Sequence, residues 1–259
     1  MSKVALVVGA GQSLGAYLVN GLANDGYRVV VADIDSISAQ NVAVSIGEHC
    51  GMENVMAIQA NATNEDDVIR MIETVKEKWG KIDLMVYNAG WAAAHKIDVF
   101  PVSDWDRSVA INLNGYFLCA REVSKLMIEK GTRGRIININ SKSGKVGSKH
   151  NSGYSAAKFG AVGLTQSLAL DLAEHGITVH SLMLGNLLNS PMFDSLLPQY
   201  AVKLGIPEEQ VKQSYIDKVP LKRGCEFSDV MNVLRFYASE GAEYCTGQSI
   251  NITGGQVMF

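Results

Sequence analysis

Tyr154 and Lys158 stand four residues apart in Tyr-Ser-Ala-Ala-Lys, with Ser141 thirteen residues upstream. On a helix, residues four apart share a face, which makes the phenol and the ammonium neighbours. A free phenol titrates near pH ~10 and is a poor base at neutrality. An ammonium held beside it favours the phenolate and lowers that pKa. Lowering it by about three units takes roughly 4 kcal/mol of differential interaction. A serine hydroxyl nearby would hold the same substrate oxygen, giving a site for proton exchange with an alcohol or a carbonyl. The same spacing also occurs as an ordinary exposed pair, so the chemistry depends on the elements around it.

Those elements alternate. Short apolar, β-branched runs predict strands at 4–8, 28–32, 55–60, 82–87, 135–139, 177–183 and 249–252. Most are continuous rather than alternating, as strands covered on both faces are. Amphipathic segments predict helices at 13–24, 38–49, 65–79, 105–129, 154–174 and 229–239. Strand–helix alternation implies right-handed crossovers. The expected α/β fold is a doubly wound, Rossmann-like parallel sheet of about seven strands, helices on both faces, as one domain over 1–259. Segment 186–220 interrupts the pattern and holds Pro191, Pro198, Pro207 and Pro220, four of the five prolines. It reads as a substrate loop or lid, or equally as a surface excursion or an oligomer contact. Leu196, Leu197 and Tyr200 predict short helices there with an apolar face.

The first strand leads into Gly9-Ala-Gly11-Gln12-Ser13-Leu14-Gly15 and then a helix. Such a turn lets the backbone approach a pyrophosphate at a helix N-terminus. The spacing departs from the common Gly-x-Gly-x-x-Gly pattern, because Leu14 takes the last glycine's place and Gly15 follows it. The second strand runs to Asp33, an acid placed to accept from ribose hydroxyls and repel a 2′-phosphate. No basic residue lies between Ala32 and Gln40. NAD is therefore expected over NADP, with a helix-capping role for Asp33 and Asp35 as the alternative.

Between Ser141 and Tyr154, Lys142, Lys145, Lys149 and His150 crowd one loop of a chain whose net charge is −3. Clustered ammonium donors suit a phosphate on the substrate. A solvated loop is the alternative, and Lys222 with Arg223 form a weaker second candidate. The overall charge gives no reason to expect a nucleic acid or an anionic membrane surface as partner. No stretch approaches the ~20 apolar residues of a membrane span. The first eight residues lack the layout of a signal peptide. Cys50, Cys119, Cys225 and Cys245 are scattered and read as reduced packing residues of a cytoplasmic protein. No metal site is expected from the His, Cys, Asp and Glu pattern.

Taken together these residues resemble the short-chain dehydrogenase/reductase family over essentially the whole chain. The Gly9/Gly15 turn is similar to its glycine-rich turn, and Asn88-Ala89-Gly90 to its Asn-Ala-Gly motif. Asn112, Ser141, Tyr154 and Lys158 match its catalytic tetrad. Tyr244-Cys-Thr-Gly247 and Thr253-Gly-Gly255 resemble its C-terminal pattern. Departures are Val8 for the usual Thr, Ser13 for the middle glycine, Asn61 for an adenine-contacting Asp, and Leu184-Gly185 for Pro-Gly.

The resemblance implies Tyr154 as acid/base, Ser141 as holder of the substrate oxygen and Lys158 as pKa modulator and ribose ligand. Asn112 would keep a water behind Lys158. It further implies cofactor contacts at Gly9, Gln12, Ser13, Leu14, Gly15, Asp33, Asn61, Ala62, Asn88, Ala89 and Gly90. Stretches 140–154, 180–186 and 254–259 are similar to family members that oxidise a phosphorylated sugar alcohol with NAD. A sugar-phosphate substrate and a homo-oligomer, commonly a tetramer, follow from that likeness. Its rivals are a dehydrogenase of an unphosphorylated polyol and a nucleotide-sensing protein without turnover.

Overall fold

The computed structural model of the protein describes residues 2–259. Seven parallel strands form one sheet: β1 Val4–Val8, β2 Arg28–Asp33, β3 Val55–Gln59, β4 Leu84–Tyr87, β5 Arg135–Ser141, β6 Thr178–Leu184 and β7 Gln248–Ile252. Their order is β3-β2-β1-β4-β5-β6-β7. β1 explains how the sheet is covered. Val4, Leu6 and Val8 point into one apolar layer, and Ala5 and Val7 into the other. Successive side chains of a strand face opposite ways, so a strand buried on both faces reads as an unbroken apolar run.

Helices α1 Ser13–Asn24, α2 Ser36–Cys50 and α3 Glu65–Trp79 follow the first three strands. α1 and α2 pack on one face through Leu14, Leu18, Leu22, Ala43 and Ile46, and α3 packs on the other through Val68, Met71 and Val75. The expected helix over 105–129 is resolved into α4 Val102–Val109 and α5 Gly115–Glu129, joined by a wider π-helical turn, Ala110–Asn114. Sequence periodicity cannot register that turn, because the apolar spacing carries through it. Such turns recur at functional sites, and this one contains Asn112. α6, Ser152–Leu172, begins two residues earlier than expected.

Segment 186–220 folds into three short helices, α7 Pro191–Ser195, α8 Leu197–Leu204 and α9 Glu208–Asp217. Leu188, Phe193, Leu196, Tyr200 and Val211 give it a small core of its own. Phe193, Tyr200 and Tyr215 pack ring to ring with centroids 5.4–5.5 Å apart. Each such pair contributes about 0.5–1.5 kcal/mol beyond its buried area, enough to hold short helices at defined positions. α10, Phe227–Ala238, completes the face shared with α1 and α2.

The strand order reverses between β1 and β4, so the loops after them diverge and leave a crevice at their C-terminal ends. The Gly9 turn follows β1, Asn88-Ala89-Gly90 follows β4, and Ser141 ends β5. The fold thus gathers the sequence motifs on one edge of the sheet.

Candidate active site

The crevice floor is built from backbone. Gly9 adopts φ +78°, and a Cβ there would lie 2.7 Å from the Ala89 amide nitrogen. A Cβ on Gly15 would run into the Gly9 carbonyl and sit 2.7 Å from Asn88 Nδ2. That amide donates to the Gly9 carbonyl at 2.7 Å, tying the two loops together. Ser13 takes φ +52° at the first residue of α1, in the region glycine normally fills. α1 has no side-chain cap and no acid in its first turn. Its first amides therefore lack a side-chain acceptor.

Asp33 Oδ2 accepts the Gly11 amide at 2.8 Å and Oδ1 accepts the Asp35 amide at 3.1 Å. Asp35, not Asp33, caps α2 through the Ile37 and Ser38 amides. A carboxylate beside a glycine-lined helix terminus fits the ribose and pyrophosphate of a nicotinamide dinucleotide. Leu14 is turned into the core, so only its backbone is available to a cofactor. Asn61 Oδ1 accepts from the Thr63 amide and hydroxyl, leaving Nδ2 as its donor. Ala62 is buried beneath it, and Gln12 is exposed at the rim. Gly15→Ala is expected to weaken NADH binding at least tenfold and lower the melting temperature by several degrees. The clash involves backbone that cannot yield without opening the crevice. Calorimetry and thermal melts of the same preparation check both.

Ser141, Tyr154 and Lys158 meet at the crevice mouth. Ser141 Oγ accepts the Ser143 amide at 3.1 Å, and the Ser141 side chain lies near enough to the Tyr154 hydroxyl to favour its phenolate. Lys158 is buried, its Nζ 5.6 Å from the Tyr154 ring centre and donating to the Ile139 carbonyl at 3.0 Å. Asn140 Nδ2 donates to the Lys158 carbonyl at 3.1 Å, joining α6 to β5 at this level.

Burial pushes Tyr154 up to about 12, against a smaller downward pull from Ser141 and a further rise from Tyr200. Burial likewise brings Lys158 down to about 7. In the free chain desolvation disfavours both charged forms. Asn112 Nδ2 donates to the Trp91 and Ser108 carbonyls at 2.7 and 2.9 Å, so the side chain braces the turn.

The basic loop does not act as a unit. Lys145 Nζ donates to the Ser249 and Phe259 carbonyls at 2.8 and 2.7 Å, which spends two of its three N–H groups. It anchors the C-terminal segment. Lys149 is exposed. His150 adopts φ +65°, and its carbonyl accepts the His95 amide at 2.8 Å. Burial and the charges of Lys149, Lys203 and Lys96 hold its imidazole below the usual range. Lys142 alone turns inward, donating to Gln256 Oε1 at 2.6 Å.

The model of the short chain dehydrogenase family matches residues 3–201. The chain belongs to this family. It is 66% identical over 259 residues, all of both chains, to sorbitol-6-phosphate 2-dehydrogenase of Escherichia coli strain K12. A 3-oxoacyl-[acyl-carrier-protein] reductase of Synechocystis is 35% identical, covering 100% of this chain and 98% of that one. Among solved structures, sorbitol-6-phosphate 2-dehydrogenase from Erwinia amylovora superposes with a TM-score of 0.97 at 63% identity, covering 98% and 100%. An NAD+-bound xylitol dehydrogenase gives 0.91 at 28% identity, covering 98% of each.

Several roles in this short-chain dehydrogenase escaped the sequence reading. Gly11 holds Asp33 in place, and a Cβ there would lie 2.9 Å from its carboxylate. Asn140 adjoins Ser141, and that adjacency was its one visible sign. Tyr200, Lys203, Tyr215 and Lys218 come to the crevice mouth from segment 186–220 and carry no motif. Among the described residues no helix is long and apolar enough to cross a membrane.

Proposed function

We propose that the protein interconverts D-sorbitol 6-phosphate and D-fructose 6-phosphate with NAD, transferring hydride at C2. The carrying observation is the meeting of Ser141, Tyr154 and Lys158 beside a glycine-lined crevice, in a chain that aligns end to end with sorbitol-6-phosphate 2-dehydrogenase. The nicotinamide, when bound, supplies the hydride acceptor. Ser141 Oγ holds the C2 hydroxyl. Tyr154, as phenolate, takes its proton, and as phenol returns it in the reverse direction. Lys158 in its charged form stabilises the phenolate and holds the nicotinamide ribose. Asn112 keeps the turn that backs Trp91 in place. The Gly9–Gly15 turn, Asn88, Ala89 and Gly90 shape the pyrophosphate and ribose sites. Segment 186–220 covers the substrate.

Asp33 supports NAD over NADP, because a 2′-phosphate would meet its carboxylate at close range. Asp33→Asn keeps an acceptor for the Gly11 amide and removes the charge. It is expected to raise kcat/KM for NADP relative to NAD about tenfold or more, given ~1–4 kcal/mol for two charges at contact distance. Steady-state kinetics with both cofactors check this.

The test of the function is NADH formation from sorbitol 6-phosphate and from sorbitol, with NAD and with NADP. A strong preference for the phosphorylated polyol over sorbitol, and for NAD over NADP, is expected. Preference for plain sorbitol would overturn the substrate and leave a polyol dehydrogenase.

The protein also reads as a cytoplasmic homo-oligomer, and a tetramer is proposed. Its four cysteines are free, which suits a reducing compartment. Phe117 and Ile128 on α5, with Phe159 and Leu170 on α6, leave large apolar side chains exposed, a surface that a second copy would cover. Light scattering that returns a monomer would refute the assembly.

A further inference from the structure

Three lysines from separate parts of the chain converge beside the reacting groups. Lys142 follows Ser141, Lys203 lies on α8, and Lys218 follows α9. Lys142 Nζ and Lys218 Nζ lie 5.9 and 5.5 Å from the Tyr215 ring centre. Lys203 Nζ lies 5.4 Å from that of Tyr200, and the two rings are 5.4 Å apart. Among the described residues none of the three has a carboxylate oxygen within 4.0 Å. Lys142 donates to Gln256 and Lys203 to Ser148 Oγ at 3.1 Å, each using one of three N–H groups. Among the described residues Lys218 Nζ makes no hydrogen bond. Most of the cluster's donors are therefore unspent.

The arrangement is electrostatically costly as it stands. Burial first, then the neighbouring lysines, brings Lys142 and Lys203 down to about 8. Charges gathered without counter-ions raise the energy of the folded chain unless an anion joins them. The cluster also borders the chemistry. Tyr200 lies close enough to Tyr154 to raise its pKa, and Lys203 grips the same loop that carries Ser141 and Lys142. A polyol phosphate oxidised at C2 carries its phosphate at C6, the far end of an extended carbon chain. A basic pocket set apart from Tyr154 but opening beside it meets that requirement.

We propose that Lys142, Lys203 and Lys218 bind the substrate's phosphoryl group as a dianion, with segment 186–220 contributing two of the three. Lys145 takes no part, and Lys149 lies at the rim. The proposal rests on the phosphorylated-polyol reading above. Charge-assisted hydrogen bonds to phosphate are the strong class, so segment 186–220 closes most firmly over a phosphorylated substrate.

The test is a kinetic comparison of the wild type with Lys203→Met, Lys218→Met, the double variant and Lys142→Met. Each single variant is expected to raise KM for sorbitol 6-phosphate about tenfold, and the double variant about a hundredfold. KM for NAD and kcat/KM for plain sorbitol should stay within about twofold. Lys203→Arg and Lys218→Arg should recover most of the loss and guard against misfolding. Inorganic phosphate should raise the wild-type melting temperature and leave the double variant unmoved.

A KM for sorbitol 6-phosphate unchanged in the double variant would overturn the lysine assignment alone. So would equal losses on sorbitol, or an equal thermal shift with phosphate. A wild type with no preference for the phosphorylated polyol would instead sink the functional reading, and this inference with it.

Discussion

Tyr154→Phe is expected to bind NADH as tightly as the wild type and to lose turnover by about a thousandfold or more. The change deletes one hydroxyl and leaves the ring in its packing place. Positioned acid–base groups contribute about 10²–10⁴ in rate, and here a single group serves both directions. Reduction and oxidation should therefore fall together. NADH fluorescence titration and single-turnover kinetics on the same preparation separate binding from chemistry. Turnover within tenfold of wild type would take Tyr154 out of the proton path.

Lys158→Met is expected to lower oxidation at neutral pH by about 10²–10³, on ~1.4 kcal/mol for each unit by which the phenolate is destabilised. In the free chain Tyr154 stands at about 12 and Lys158 at about 7. Near neutrality the lysine is thus poised between its forms. Charging it favours the phenolate that oxidation requires. Removing it should displace the rise of oxidation rate towards higher pH, so part of the loss returns in alkali. A residue that only packs would depress the rate equally at every pH.

Stability should move differently. The folded pKa of Lys158 lies below its ordinary value of 10.5. Between those two values the unfolded chain binds a proton that the folded chain refuses. Wild-type stability therefore falls as pH drops from about 10.5 to about 7, and the lysine's penalty is fully present below that. Relative to the wild type, the Met variant should look better in melts at pH 7 than at pH 10.

Much of this protein was legible in its residue order. Continuous apolar runs such as Val4–Val8 can be satisfied only by strands covered on both faces, so the doubly wound sheet followed from local pattern. The Gly9–Gly15 turn, Asp33 and the Tyr154/Lys158 spacing are local too, and each constrains backbone or side-chain geometry within a few residues. The π-helical turn at Asn112 was not legible, since α4 and α5 share one apolar rhythm across it.

Tertiary structure alone decided what the charges do. Lys142 and Lys145 are three residues apart and look equivalent in sequence. One faces Gln256 and Tyr215, and the other is consumed by the carbonyls of Ser249 and Phe259. Lys203 and Lys218 lie some sixty and seventy-five residues from the Ser141 loop. No local rule connects them to it. They arrive because the aromatic core of segment 186–220 docks three short helices over the crevice. A side chain's identity is local, but its desolvation and its neighbours belong to the packed chain. Those two quantities set Tyr154 and Lys158 away from their ordinary pKa values.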